Sequence, residues 1–139
     1  MTQIIEAIAD DRTGRRDLGA AVRRGLMERC PHCGRGRLFR AYLKVVDACP
    51  VCGEDLHHQR ADDAPPYITM LLVGHVAVAG VMAAEAVLPT SWIWLGAIGW
   101  MSLALALSLL VLPRVKGALV GYQWALRMHG FGGAERDAP

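Results

Sequence analysis

The chain has 139 residues, which is enough for one ordinary domain or two very small ones. Its composition is 53% hydrophobic, its mean hydropathy is positive and its formal net charge is only +2. The apolar residues are concentrated after Pro65, whereas the part before it is rich in charge, which argues against a single soluble domain. We therefore expect a polar head joined to a membrane-embedded part.

The charged part of the chain is basic first and acidic later. Residues 12–44 contain ten Lys and Arg against two acids, and residues 47–63 contain five acids against one Arg. The basic block, which overlaps a predicted N-terminal basic segment at 1–24, fits a solvated face beside a membrane or contact with anionic lipid headgroups. Binding to nucleic acid is disfavoured, because residues 1–64 carry eleven basic and ten acidic residues.

The most specific motif is a repeated cysteine pair, CPHCG at 30–34 and CPVCG at 49–53. Two residues between paired cysteines let both sulfurs reach one ion, and four thiolates complete a tetrahedral, structural zinc site. We recognise no export signal at the N-terminus, so the cysteines are expected in the reducing cytoplasm, where metal binding is favoured over disulfides. Iron is a minor alternative to zinc. The predicted ligands, for one Zn²⁺ per chain, are Cys30, Cys33, Cys49 and Cys52.

The segment 25–58 is therefore predicted to be a four-cysteine zinc ribbon. Each motif forms a knuckle, and the fifteen residues between Cys33 and Cys49 suffice for a short β-hairpin. A ribbon of this size has too little core to fold alone, so the metal is expected to supply much of its folding free energy. The small core is expected to come from Leu38, Phe39, Tyr42, Leu43 and Val45.

A linker at 59–66 connects the ribbon to the membrane part. Asp62 and Asp63 precede two prolines, and Asp63 is expected to cap the first membrane helix. The alternative is that both acids contact the basic block or a partner protein. A second metal site at His57 and His58 is a disfavoured alternative.

Two apolar segments, 68–88 and 92–112, are each long enough to cross the hydrocarbon core as helices. The short link between them predicts an all-α antiparallel hairpin at 67–112. Every Lys and Arg lies outside this hairpin, so the positive-inside rule predicts two spans in the bacterial inner membrane with both termini cytoplasmic. Gly80 and Ala84 of the first span are expected to contact the second span near Gly96 and Gly99, or else a partner's helix.

Two ionisable residues lie within the first span. His75 is interpreted either as a neutral imidazole bonded to a serine or a backbone carbonyl, or as a group that handles a metal, haem or protons. Glu85 is interpreted mainly as a residue at the far interface. The two are ten residues apart, so they are not expected to share one ligand.

After Pro113 the sequence predicts a separate amphipathic helix at 113–130 that lies in the headgroup plane. Arg114 and Lys116 at its start are candidate interaction residues, and Gly117 and Gly121 are expected to weaken the helix. The tail at 131–139 is predicted to be disordered.

Together these motifs resemble the domain-of-unknown-function 983 family, which consists of short proteobacterial membrane proteins with an N-terminal zinc ribbon. The resemblance covers about residues 20–128 and departs at Ala64, where the family usually has Gly. It implies no assigned reaction, but some members are encoded near oxidase subunits and are similar in setting to cytochrome c oxidase biogenesis factors. The matching motifs are Gly25, Leu26, CPHCG, Gly36, Leu38, Phe39, Leu43, Lys44, CPVCG, Asp62, Asp63, Pro65, Tyr67, Gly74, His75, Glu85 and LPRVKG at 112–117.

No nucleophile–base pair, phosphate-binding loop or paired carboxylates is recognised, so an enzyme is not expected. The leading hypothesis is a non-enzymatic adaptor or assembly factor that binds a larger membrane complex, with cytochrome c oxidase as the candidate that the resemblance implies. The alternatives are a metal or proton handling protein that uses His75 and Glu85, and a membrane-tethered ribbon that binds nucleic acid. The expected partners are membrane lipids and either a membrane protein complex or further copies of the chain.

Overall fold

The computed structural model describes residues 16–60 and 63–131. A short helix is followed by a two-stranded hairpin, two long helices and a final 3₁₀ turn, and a second 3₁₀ turn lies between the long helices. The elements are α1 (Leu18–Leu26), β1 (Phe39–Ala41), β2 (Lys44–Val45), α2 (Ala64–Glu85), a 3₁₀ turn (Thr90–Trp92), α3 (Ile93–Ala125) and a 3₁₀ turn (Met128–Gly130).

Helix α1 lies at the end of the segment 1–24, which was predicted only to be basic. Asp17 caps it, because the Asp17 Oδ1 accepts a hydrogen bond of 3.0 Å from the backbone N–H of Ala20. One face of the helix buries Ala21 and Gly25, while Arg23 and Arg24 occupy its last turn, where their charge suits the helix dipole. The rest of the predicted basic segment, residues 1–15, lies outside the described residues.

The predicted hairpin between the two cysteine motifs is confirmed. Strands β1 and β2 pair antiparallel, with Phe39 opposite Val45. Leu38 and Val45 are buried as expected, but Tyr42 is 53% exposed and does not belong to the core. Leu43 lies in the turn between the strands with a φ of +60°, so the predicted core was too large by these two side chains.

Helix α2 begins at Ala64, before the two prolines. Asp63 holds the N-cap position as predicted, but its side chain makes no capping hydrogen bond. The reason is local, because an N-cap side chain accepts from the second or third residue of the helix, and here these are Pro65 and Pro66, which lack an N–H. The capping interaction predicted for Asp63 was therefore wrong, and Asp62 lies outside the described residues.

The prediction of a separate amphipathic helix at 113–130 was also wrong. Helix α3 runs for 33 residues with Pro113 inside it and is roughly 50 Å long at 1.5 Å per residue. About 20 residues suffice to cross a bilayer, so the last three turns form an extension beyond the apolar span. One side of this extension is covered by α1 and the ribbon; its buried residues are Val115, Gly117, Val120, Gly121, Gln123 and Trp124.

The proline inside α3 leaves one backbone group without its helical partner. Residue 113 cannot donate to the carbonyl of Leu109, because proline has no N–H. The hydroxyl of Tyr42 donates to that carbonyl instead, at 3.0 Å. The turn of the ribbon hairpin is thereby joined to α3 at the level of the proline.

Replacing Tyr42 by Phe should therefore destabilise the protein by about 1 kcal/mol, because the Leu109 carbonyl loses its donor. In a Pro113→Ala background the helix regains an N–H at this position, and the cost of Tyr42→Phe should fall toward zero. Unfolding of the parent protein, the two single variants and the double variant in the same detergent measures the cost of Tyr42→Phe in both backgrounds. An equal cost in the two backgrounds would contradict the assignment of the hydroxyl to this carbonyl.

The two long helices pack side by side, and both are long and apolar enough to cross a membrane. Gly80 contacts the second helix as predicted, but a tryptophan and not a glycine meets it, because a Cβ at Gly80 would overlap the ring of Trp100. Gly99 has open space around it, so its predicted role in the helix contact was wrong. A cleft of about 570 Å³ remains between the helices at their connected end.

Helices α1 and α3 cross at small residues on both sides. A Cβ on Gly25 would overlap the backbone of Gly117, and the converse also holds. One turn further along α3, a Cβ on Gly121 would overlap the backbone carbonyl of Ala21. Glycines spaced by four residues allow this close backbone approach, so Gly117 and Gly121 form the contact site for α1.

The buried core lies between the ribbon, α1 and the extension of α3. Phe131, the first residue of the predicted disordered tail, belongs to this core and is only 5% exposed. The remaining tail residues, 132–139, lie outside the described residues. The core consists of Ala21, Cys30, Leu38, Val45, Cys49, Leu56, Val120, Trp124 and Phe131.

Candidate metal centre

The four cysteine sulfurs converge on one point. All four Sγ atoms lie within 4.8 Å of one another, and the Cys30–Cys52 and Cys33–Cys49 Sγ distances are both 3.8 Å. A tetrahedron with zinc–sulfur bonds of about 2.3 Å has edges of about 3.8 Å, whereas a disulfide requires about 2.05 Å. The predicted clustering is observed, and the spacing fits a tetrahedral metal ion.

The two knuckles have the same backbone geometry. In the first, the N–H of Gly34 donates to the carbonyl of Cys30 at 2.9 Å, and in the second the N–H of Gly53 donates to the carbonyl of Cys49 at 2.9 Å. Both glycines have a positive φ, +68° and +72°, which residues with a side chain rarely adopt. The sequence repeat CPxCG therefore builds two matching turns that present their sulfurs to each other.

A third glycine brings the knuckles together. The carbonyl of Gly36 accepts a 2.9 Å hydrogen bond from the N–H of Cys30, and a Cβ on Gly36 would overlap the Sγ of Cys49. Gly36 therefore has to lack a side chain because a sulfur from the opposite knuckle occupies that space. Gly36 was predicted to matter only through the family resemblance, since it lies outside both repeated motifs.

The surroundings of the thiols act on their pKa values in different directions. Burial raises the pKa of Cys30 far above its ordinary value and raises the pKa of Cys52 to about 11. Burial also acts to raise the pKa of Cys33, but hydrogen bonds from the backbone N–H groups of Gly36 and Arg35 outweigh it and lower that pKa to about 7. Metal binding requires thiolates, so an ion at this site displaces protons from the buried sulfurs.

The arrangement of four thiolates determines what the site can do. With four protein ligands the coordination sphere is closed, which leaves no position for water or substrate. The cluster is compatible with a structural zinc ion that holds the two knuckles together.

The metal centre is attached to helix α3 through Trp124. Its indole Nε1 donates to the Glu54 Oε1 at 2.7 Å, directly after the second knuckle. The imidazole of His32, inside the first knuckle, lies 3.8 Å from the other oxygen of Glu54, with its ring 5.8 Å from that of Trp124. The guanidinium of Arg16 stacks on the indole, 4.3 Å from its centroid, and donates to the Trp124 carbonyl. His32 of the first knuckle and Glu54, which follows the second knuckle, thus both contact Trp124 of α3.

A second polar contact joins the linker to α3. The side-chain amide of the buried Gln123 accepts from the N–H of Arg60 at 3.1 Å and donates to the Arg60 carbonyl at 3.0 Å. This pairing satisfies both polar atoms of a buried side chain. Residues 113–130 were predicted to lie in the headgroup plane, whereas Gln123 is buried against the linker.

The other predicted site residues are distributed over the helices. His75 is exposed, and its Nδ1 lies 2.7 Å from the carbonyl of Leu71 on the same helix, in agreement with the backbone-bonded interpretation. Glu85 is the last residue of α2 and lines the cleft between the long helices. Arg114 is exposed and donates to the carbonyl of Leu110, whereas Lys116 is half-buried. Within 16–60 and 63–131, neither His75 nor Glu85 belongs to a group of three or more metal-ligating side chains.

Fold and site together define a small zinc-ribbon protein with a helical hairpin that is long and apolar enough to span a membrane. The sequence model of a protein family described as "protein of unknown function (DUF983)" matches residues 39–124, which is more than half of the chain. The chain therefore belongs to this family, and the resemblance seen in its motifs is confirmed. No curated protein and no solved structure matched the sequence.

Proposed function

We propose that the protein is a non-enzymatic, membrane-anchored adaptor whose zinc ribbon presents a folded surface to a larger membrane complex. The observation that carries this proposal is the attachment of the ribbon to α3 through Glu54 and Trp124. A ribbon held in this way has a fixed position relative to the two long helices. A partner can therefore contact the polar head and the apolar helices at the same time.

The proposed metal is zinc, one ion per chain, because sites with four thiolates and tetrahedral spacing are mostly zinc or iron sites, and zinc is the usual structural ion. The proposed location is the bacterial inner membrane, with both termini and the ribbon cytoplasmic. This topology follows from the positive-inside rule, since no Lys or Arg lies between Arg60 and Arg114.

The lateral surface of the helices supports a partner within the membrane as well as lipid. Large apolar side chains point outward along both helices, including Leu72 at 51%, Leu95 at 64% and Leu105 at 63% exposure. Such a surface requires lipid or another helix to cover it. As the first candidate partner we propose cytochrome c oxidase or its assembly machinery, on the basis of the family resemblance alone.

The test is purification of the tagged protein from its native membranes in a mild detergent. Mass spectrometry identifies the co-purifying proteins, and the same sample is assayed for zinc and iron. We expect oxidase subunits or assembly factors in stoichiometric amounts, with one tightly bound zinc per chain at the cysteine site. A homo-oligomer without a partner would contradict the adaptor proposal, and one iron per chain would contradict the assignment of zinc.

A second candidate function, metal or proton handling, is favoured by the position of Glu85 in the cleft between the helices. His75 and Glu85 would then act together inside an oligomer. His75→Ala separates the two functions, because an adaptor should retain its partner in this variant, whereas a transport activity should be lost.

A further inference from the structure

A second group of metal-ligating side chains lies directly after the second knuckle. One ligand atom each from Asp55, His57 and His58 lies within 4.8 Å of the others. The Nδ1 of His57 is 2.8 Å from the Oδ1 of Asp55, and the imidazole rings of His57 and His58 have centroids 3.8 Å apart. Ligand bonds of about 2.0–2.2 Å to one tetrahedral ion place the ligand atoms about 3.3–3.6 Å apart, so these side chains can share an ion after small rotations.

The backbone that carries the three side chains is held firmly. Leu56, between the first two of them, is fully buried. The N–H groups of Leu56 and His57 both donate to the carbonyl of Asp47, at 2.8 and 3.1 Å. The segment therefore presents its ligands from a fixed position, which lowers the entropy cost of ion binding.

Gly130 and Phe131 shape the space around His58. The ring of Phe131 meets the His58 imidazole edge-on at 5.9 Å. Gly130 has a φ of +96°, and a Cβ at that position would lie 2.9 Å from the His58 Nδ1. A glycine at this point leaves room for the imidazole, while the phenyl ring limits its movement.

From this geometry we propose that Asp55, His57 and His58 form a second metal site, separate from the four cysteines, for a divalent transition-metal ion such as Zn²⁺. Two imidazoles and one carboxylate suit Zn²⁺, Co²⁺ and Ni²⁺. Three protein ligands leave at least one coordination position open, in contrast to the closed cysteine site. The side chains of His57 and Asp55 are 51% and 61% exposed, so an ion can enter from solvent and exchange.

The proposal is tested with the full-length protein in detergent, purified without a polyhistidine tag. The cysteine site is first loaded with zinc, excess metal is removed, and the protein is equilibrated with micromolar zinc. Elemental analysis then gives the metal content per chain. We expect two zinc ions in the native protein, one in His57→Gln and in His58→Gln, and two in the control His129→Gln, which removes an exposed imidazole that belongs to neither group of metal-ligating side chains.

Retention of the first zinc in each variant shows that the ribbon is folded, so loss of the second ion is not a folding defect. A further variant, Gly130→Ala, removes no ligand but crowds His58, and it should weaken the second site by about tenfold or more. Saturation of the native protein at one zinc ion would overturn the proposal. It would also be overturned if both histidine variants still bound two.

Discussion

Replacing Cys30 by serine is expected to abolish metal binding and unfold the ribbon. Cys30 is fully buried, so no other ligand from solvent can substitute for its thiolate at low cost. Structural zinc contributes about 10–16 kcal/mol in small zinc-dependent domains, which equals or exceeds the whole stability of a typical domain. The variant should therefore lose metal both at the cysteines and at Asp55, His57 and His58, which the folded ribbon positions. Trypsin should cut it rapidly at Arg35, Arg37 and Arg40, between the two knuckles.

The matched control for this prediction is Val51→Ser, because Val51 lies between two ligands of the second knuckle and its side chain is 58% exposed. It should keep its metal and its resistance to trypsin. Gly36→Ala is a second route to the same loss, since its added methyl group would collide with the Sγ of Cys49. Normal metal content in Cys30→Ser would show that the cysteine cluster is not the metal site.

Gly117→Ala is expected to destabilise the contact between α1 and α3 by about 1–3 kcal/mol. The added Cβ would overlap the backbone of Gly25, and a backbone atom cannot rotate away as a side chain can. The two helices therefore have to separate, which exposes α1. Thermal unfolding in detergent, monitored by tryptic cleavage at Arg23 and Arg24 in α1, measures the loss of stability.

Gly99→Ala is the matched control for Gly117→Ala, because Gly99 lies in the same helix but has no other group within 4 Å of the added Cβ. Alanine is the better helix former by about 0.8–1.0 kcal/mol, so this variant should be neutral or stabilised. Of the two substitutions, only Gly117→Ala is thus expected to destabilise the protein. Equal effects would mean that helix propensity, and not the close contact with α1, determines the outcome at Gly117.

The local features of the fold could be predicted from the sequence because each rests on neighbouring residues. The repeat CPxCG contains both ligands and the turn glycine of a knuckle, so the metal cluster follows from spacing alone. The two long helices follow from uninterrupted apolar segments in the same way. Asp63 was predicted correctly as the N-cap residue of α2. Its predicted capping hydrogen bond does not form, because the two prolines that follow lack an N–H.

Contacts between distant parts of the chain could not be predicted. Trp124 and Glu54 are 70 positions apart, and no periodic pattern connects them. Gly117 and Gly121 were interpreted as residues that weaken a helix, because the sequence alone does not show that α1 covers them. The GALVG spacing at 117–121 was the available signal, since glycines four residues apart indicate a close helix contact.

The extension of α3 also fixes the order in which the protein can assemble during synthesis. The chain is made from its N-terminus, so α1 and both knuckles leave the ribosome before the helix that they contact. Arg16 and Trp124 are 108 positions apart, and their contact has to wait until nearly the whole chain has emerged. Metal can reach the cysteines before this stage. Attachment of the ribbon to α3 therefore requires that α3 has already been made.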